Sequence, residues 1–450
     1  MSNLFLLLLA GSLPQALLDA LENHPSVSAA RRAVSTAELQ FQLQEHQLLD
    51  PLWTANASHR NIETGGSFQS QISGGNSETT SSSTSISWLT RRGFTISLDL
   101  SDGRSETNSS FAGAQTDFSV STGLNITYPL WREKRSAALS SLDQSALSTL
   151  DATLALESAR QEAAFEVYSS FWNCKIAEER VAVQGGALEE ARSRKLEVEA
   201  LIRAGQSSPS ELATHTSRLL ELEAALLQSQ IEVKQCLDNA ALLLGRPIPP
   251  EWIEAVGALV FEIPPRRDAL SVMRARIGVQ QREIGIADAL ALDLSNFDLQ
   301  LGYGLSGDAE RHADALEGLE NARWNVGLVW SKRLGVSDLS ERSAFVALEG
   351  ARLTFSQSEA SASILENSLL DTLVLQEQLL LAAQAQTDAS VVARDAVEAR
   401  WRAGLAISLA LFQAENSVHS AEVSELSALS ALRIAQANLS RFRRALVQVP

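Results

Sequence analysis

Arg203-Ala204-Gly205, echoed by Arg402-Ala403-Gly404, closes a very long run of helical pattern. After each glycine a second apolar-periodic run sets off, through Glu211-Leu212 in one and Ala410-Leu411 in the other. A lone Gly inside a helix costs about 1 kcal/mol relative to Ala, so two at matching places mark tight reversals. The two triplets therefore read as the tips of two helical hairpins. The run before Gly205 starts near Arg132 and meets no proline until Pro209. Helix of roughly seventy residues, at 1.5 Å each, reaches roughly 105 Å. The run before Gly404 starts near Val336, and its helix reaches roughly 100 Å by the same rise. Globular helices seldom pass about 25 residues, which leaves a coiled coil, a helical array or a tube.

Ahead of each long run the period changes. From Pro14 to Leu49 the pattern is helical, broken at His24-Pro25 and stopped before Pro51. It then alternates, weakly at Trp53, Ala55 and Ala57 and clearly at Val120, Thr122, Leu124, Ile126 and Tyr128. That is the two-residue period of a strand. Residues 61–83 and 102–116 are rich in Gly, Ser, Thr and Asn and read as exposed loops. Between them, 84–101 alternates again around a turn at Arg91-Arg92-Gly93. It is either two further strands or a loop hairpin.

The second half repeats the plan. Prolines 247, 249, 250, 264 and 265 bracket a linker over 246–266. A helix from Arg267 to Leu294 follows, then a strand through Phe297, Leu299, Leu301, Tyr303 and Leu305. A polar loop, 306–322, precedes Val326, Leu328 and Trp330. At an offset of 199 residues Gly205 meets Gly404, Leu212 meets Leu411, and Asn239 meets Asn438. Duplication of this kind speaks to architecture more than any single motif. It divides the chain into an export-signal remnant (1–16), a first repeat (17–245), the linker and a second repeat (267–450).

The strands carry the chemistry. One set of side chains is apolar with aromatics near the ends (Trp53, Tyr128, Trp131, Trp324, Trp330), and the other is polar or glycine. In a membrane barrel the first set meets lipid and the second a watery lumen. Four strands cannot close a barrel wide enough for a channel, so several copies must share one. The alternative is a soluble or surface-attached coiled-coil protein with a small β-domain.

Other classes find little support. A net charge of −17 and no basic stripe argue against nucleic acid. Histidines 24, 46, 59, 215, 312 and 419 lack metal-ligand spacing, and each reads as a surface or packing residue. Gly302-Tyr303-Gly304 sits in a strand and opens no helix, so it is no nucleotide loop. Neither an enzyme nor a resident cofactor or metal is expected. Two methionines argue weakly against a copper path. Leu4 to Ala10 resembles the apolar core of an export signal. Cys174 lies 31 residues before Gly205 and Cys236 lies 31 after it, so an antiparallel hairpin puts both at one height. They are expected as neighbours or as a disulfide, which an oxidising compartment permits.

Glu22-Asn23-His24-Pro25 opens the first helix and Leu49-Asp50-Pro51 enters the first strand. Residues 123–131, from Gly123 through Tyr128-Pro129 to Trp131, leave the sheet, and the paired Ala-Gly tips follow. Taken in order, these features resemble the TolC-like outer-membrane factor family over nearly the whole chain. The second repeat departs in having Ser295 where the first has a helix-ending proline. The resemblance implies an α+β membrane protein: a homotrimer whose twelve-stranded barrel, four strands per protomer, continues into a long periplasmic α-helical barrel. It also implies an outer-membrane efflux or type I secretion duct. Its partners would be a periplasmic adaptor, an inner-membrane transporter and outer-membrane lipid, with the adaptor docking at Arg203, Ala204, Gly205, Arg402, Ala403 and Gly404.

The resemblance further implies a gate near the tips. Trp401 stands in the family's aromatic slot and Glu211 in its carboxylate slot. Ala406 replaces the family arginine, and Ala410 and Gln413 replace two lumen carboxylates. Glu415 lies too far round its helix to substitute directly. Closure is then expected from Trp401 packing, with Arg402 or Arg203 pairing to Glu211 across neighbouring hairpins.

Overall fold

A computed structural model describes residues 24–63, 76–109, 113–205, 208–245, 247, 265–293, 295–319, 321–332 and 337–445. Residues 1–16, read above as an export-signal remnant, and nearly all of the linker fall outside these. The helices are α1 (Pro25–Leu49), α2 (Arg132–Ala137), α3 (Ser140–Arg203), α4 (Pro209–Leu244), α5 (Leu270–Asp293), α6 (His312–Glu317), α7 (Ser337–Arg402) and α8 (Ser408–Phe442). The strands are β1 (Leu52–Glu63), β2 (Asn76–Leu89), β3 (Thr95–Ser109), β4 (Gly113–Pro129), β5 (Asn296–Ala309) and β6 (Asn321–Ser331). Two compact units result. Of the described residues, one joins those within 24–33, 153–274 and 356–445, and the other those within 34–152 and 275–355, so each sequence repeat contributes to both.

The second unit holds a single antiparallel sheet in the order β1-β2-β3-β4-β5-β6. The expectation of four strands is corrected here to six. Residues 84–101 lie in β2 and β3, which run the full height of the sheet and pair from Leu89↔Thr95 to Asn76↔Asn108. Their connection is tight: Thr90 N–H donates to the Phe94 carbonyl at 2.9 Å, and Gly93 has φ 76°. The polar stretches expected as loops are largely strand as well: 76–83 in β2, 102–109 in β3, and 306–309 in β5. Polar composition misled because Ser and Thr pair well across strands. Thr54 with Ser85 (2.7 Å), Ser58 with Ser81 (2.8 Å) and Ser101 with Ser121 (2.7 Å) join their hydroxyls on one face.

The register lines up whole rows of side chains. One row reads Trp53, Ile86, Leu98, Leu124, Tyr303, Trp324 across all six strands. The opposite face at the next step reads Thr54, Ser85, Asp99, Gly123, Gly304, Arg323. The apolar face is open to its surroundings, Trp324 being 78% exposed and Leu98, Leu100, Val326, Leu328 and Trp330 also exposed. On β5 the apolar residues from Phe297 to Leu305 cover about 27 Å along the strand.

Short α6 lies over the far end of β5, with Ala315 fully buried. A Cβ on Gly307 would come within 2.1 Å of the Ala315 backbone carbonyl, whereas one on Gly327 would meet nothing within 4 Å. Gly307→Ala therefore has to displace backbone and should cost about 1–3 kcal/mol. Gly327→Ala should be close to neutral. Comparing their unfolding in detergent checks the difference.

The core of the first unit joins α3, α4 and α8 around Val167, Tyr168, Phe171, Trp172, Ala240, Leu244 and Ala437. Tyr168 and Trp172 stack with ring centroids 6.4 Å apart. Burial pushes the Tyr168 hydroxyl up to about 12. Within this core Cys174 and Cys236 are bonded, with Cα atoms 5.4 Å apart.

Candidate functional site

Both hairpin tips belong to the first unit. Gly205, with φ 74°, donates its N–H to the Ile202 carbonyl at 2.9 Å and ends α3. Ser208 then caps α4, accepting from Glu211 N–H at 3.4 Å, with Pro209 in the first turn. At the second tip Gly404 (φ 70°) donates to the Trp401 carbonyl at 2.9 Å, and Leu405 donates to that of Arg400 at 2.8 Å. Those two bonds form the left-handed glycine cap that satisfies the last carbonyls of a helix. Each Ala-Gly tip is thus a helix stop written into the sequence.

The tips border an open cavity of about 810 Å³, lined among others by Leu201, Glu211, Trp401, Arg402, Ile407 and Ser408. Glu211 accepts a hydrogen bond from the buried Ser408 hydroxyl at 2.9 Å, tying the start of α4 to the start of α8. Arg402 pairs with Glu398 one turn back at 2.8 Å, and Arg203 donates to the Glu199 carbonyl at 3.3 Å. Within the chain both arginines are engaged on their own helices. Gln413 is exposed on α8.

The centre of this region is Arg194, a residue the sequence reading missed. Its side chain is 8% exposed and donates from Nε to Glu415 at 3.2 Å, from Nη1 to Glu197 at 3.0 Å, and from Nη2 to Glu398. Its guanidinium also lies 5.5 Å from the centroid of the Trp401 ring. One cation on α3 therefore holds α7 through Glu398 and Trp401, and α8 through Glu415. A signal was present. Ala187, Ala191, Arg194 and Val198 are all buried at spacings of four, three and four, the seam of a helix pair. An arginine there requires partners, because an isolated buried charge is prohibitively costly.

Electrostatics follow from this packing. Burial opposes the Arg194 charge, but bonds to Glu398 and Glu197 more than offset it, so its pKa is raised. The hydrogen bond from Arg194 holds Glu398 below the ordinary carboxylate value. Glu415 shifts the other way, raised by burial and then by the Glu190 charge, in spite of its own bond to Arg194. The opposite signs are consistent: Glu398 has Arg402 and Arg394 near it too, while Glu415 is 14% exposed and has Glu190 nearby. His215, buried on α4, is lowered mainly by burial.

No described helix is long and apolar enough to cross a membrane. Among the described residues no cluster of His, Cys, Asp and Glu is placed to hold a metal. What remains is a helical tip region braced by charge and a sheet with one apolar face. The fold is similar to that of solved outer-membrane channels, at low sequence identity. The chain is similar to a membrane protein from Pseudomonas aeruginosa (TM-score 0.67, 16% identity, 96% of this chain and 90% of that one). It is similar as well to the outer membrane protein VceC of Vibrio cholerae (0.65, 13%, 97% and 96%). The open-state MtrE outer membrane channel of Neisseria gonorrhoeae also matches (0.63, 16%, 97% and 91%). No protein-family profile and no curated protein sequence matches.

Proposed function

We propose that three copies of this chain form an outer-membrane exit duct of a tripartite efflux or type I secretion system. Cargo would pass from an inner-membrane transporter through a periplasmic adaptor into this duct. The observation that carries the reading is the sheet. Its apolar rows and exposed tryptophans match the lipid-facing band and aromatic girdle of an outer-membrane barrel. A second observation supports assembly. On α7, Leu339, Val346, Leu353, Ile364 and Leu375 are exposed at spacings of seven, seven, eleven and eleven. Those spacings keep one helix face, and such an apolar stripe marks a protein interface.

In this reading the tips and the cavity between them face the periplasm, where the adaptor docks. The β5–β6 connection around Glu310 faces the exterior. Both native cysteines are in the disulfide, so introduced thiols report without background. Glu310→Cys should react with an impermeant thiol reagent on intact cells and Ser210→Cys should not. The reverse pattern would refute the topology.

For the gate, closure would rest on Trp401 held against Arg194 and on Glu211 held by Ser408. Trp401→Ala combined with Glu211→Gln should raise the resting single-channel conductance of the purified protein several-fold. An unchanged conductance would leave these two residues as packing and capping groups only.

A further inference from the structure

Among the described residues the sheet ends on two unpaired edges. Among these residues β1 has only β2 beside it and β6 only β5, so backbone donors and acceptors along both outer edges lack a strand partner there. In lipid that is not viable, since a spanning sheet has to close. We propose that β6 of one copy pairs with β1 of the next, so that three chains close an eighteen-stranded barrel with six strands from each. This rests on the trimeric channel reading above and adds the strand count, the joining edges and the bore.

Three features fit the joint. The edges match in length, 12 residues in β1 and 11 in β6. They run in opposite directions, because strands alternate across the sheet, so an antiparallel β6-to-β1 pair continues the pattern. Their faces also match. Trp53 on β1 and Trp324, Val326, Leu328 and Trp330 on β6 all stand on the same face, so the joint keeps that face apolar around the ring. The β2–β3 hairpin cannot be set aside as a surface loop. It is stitched to β1 by twelve residue pairs and to β4 by fifteen, and it carries Ile86, Leu98 and Leu100 in the apolar rows.

The strand count sets the width. With strands about 4.8 Å apart and tilted about 40°, eighteen give a ring about 36 Å across at the backbone and twelve give about 24 Å. Side chains take about 5 Å on each side, leaving a bore of about 26 Å rather than about 14 Å. The inner face widens it further, being built of Ser, Thr and Asn with Gly103, Gly123, Gly302, Gly304 and Gly327. Its charges are Asp99, Asp117, Asp298 and Asp308 against Arg60 and Arg323. The lumen therefore suits hydrophilic, uncharged or cationic cargo much bulkier than a small molecule.

Two measurements on the full-length protein in detergent test this. End-on electron-microscopic averages should show a three-fold ring about 36 Å across. Ala55→Cys with Thr84→Cys, which face each other on β1 and β2, should crosslink under oxidation. Ala55→Cys with Thr122→Cys should not, since three strand spacings of about 4.8 Å exceed the roughly 7 Å that a disulfide tolerates. A three-fold ring near 24 Å together with the reversed crosslinks would overturn the eighteen-stranded barrel and leave the channel standing. A particle with no ring at all would overturn both.

Discussion

Arg194→Met is expected to loosen the tip region by about 3–5 kcal/mol, the usual cost of removing one partner from a buried ion pair. The loss comes from what is left behind. Glu398 (19% exposed) and Glu415 (14% exposed) would face each other and Glu190 without their shared cation. Trp401 would also lose the guanidinium over its ring. At about 1.4 kcal/mol per decade, amide exchange protection near residues 191–198 and 411–418 should fall by two to three and a half orders of magnitude. Adding Glu398→Gln and Glu415→Gln should restore a large part of it. If the single variant keeps wild-type protection, Arg194 is a surface pair in effect and the tips are held by packing alone.

Acid should have a related effect, with a sign for each carboxylate. Glu398 is depressed, so its contribution is present above the unfolded carboxylate value of about 4.3 and is lost as pH falls through the folded one. Glu415 is raised, so it takes up a proton first on acidification, and because the folded state binds that proton more tightly than the unfolded one, this step adds stability while Glu398 still holds its charge. The charges around them are Glu190, Glu197, Arg394 and Arg402, with His419 3.8 Å from Glu190. Acidification should thus act in two steps of opposite sign, a gain as Glu415 takes up its proton and then a loss as Glu398 does. Glu415→Gln should abolish the gain and leave the loss.

The long helices were legible because α3 and α7 contain no proline and because each ends on a glycine that structure places at positive φ. The apolar faces of β4, β5 and β6 were legible through strict alternation. The inner parts of β1, β2 and β3 were legible more weakly, and their outer halves were not, because strand character there comes from hydroxyl pairs between distant residues such as Ser58 and Ser81. Periodicity of apolar residues cannot report a strand that is polar on both faces. The tip chemistry failed for a different reason. Attention to positions near the glycines found Glu211 and Trp401, while the strongest contacts radiate from Arg194, nine residues before the tip triplet begins. Only its place in a buried helical seam, among Ala191 and Val198, marked it.

Removing the disulfide, by Cys174→Ala with Cys236→Ala, is the other large expected effect. The bond closes a loop with a sequence separation of 62, spanning the distal part of α3, the first tip and most of α4. Chain-entropy arithmetic for a loop of this length gives about 4 kcal/mol, within the usual 2–5 for native bridges. Its position makes the loss specific. Cys174 packs with Phe171, Trp172 and Ile176 in the core, so two alanines leave apolar volume unfilled as well. The change should loosen the α3–α4 pair from the disulfide outward to Gly205 and leave the sheet of the second unit untouched. Limited proteolysis would read this directly: new cuts in 176–234 after substitution or reduction, with strand residues still protected. Cuts spread evenly over both units would instead mean that the bridge supports the whole chain and is not a local brace on the first hairpin.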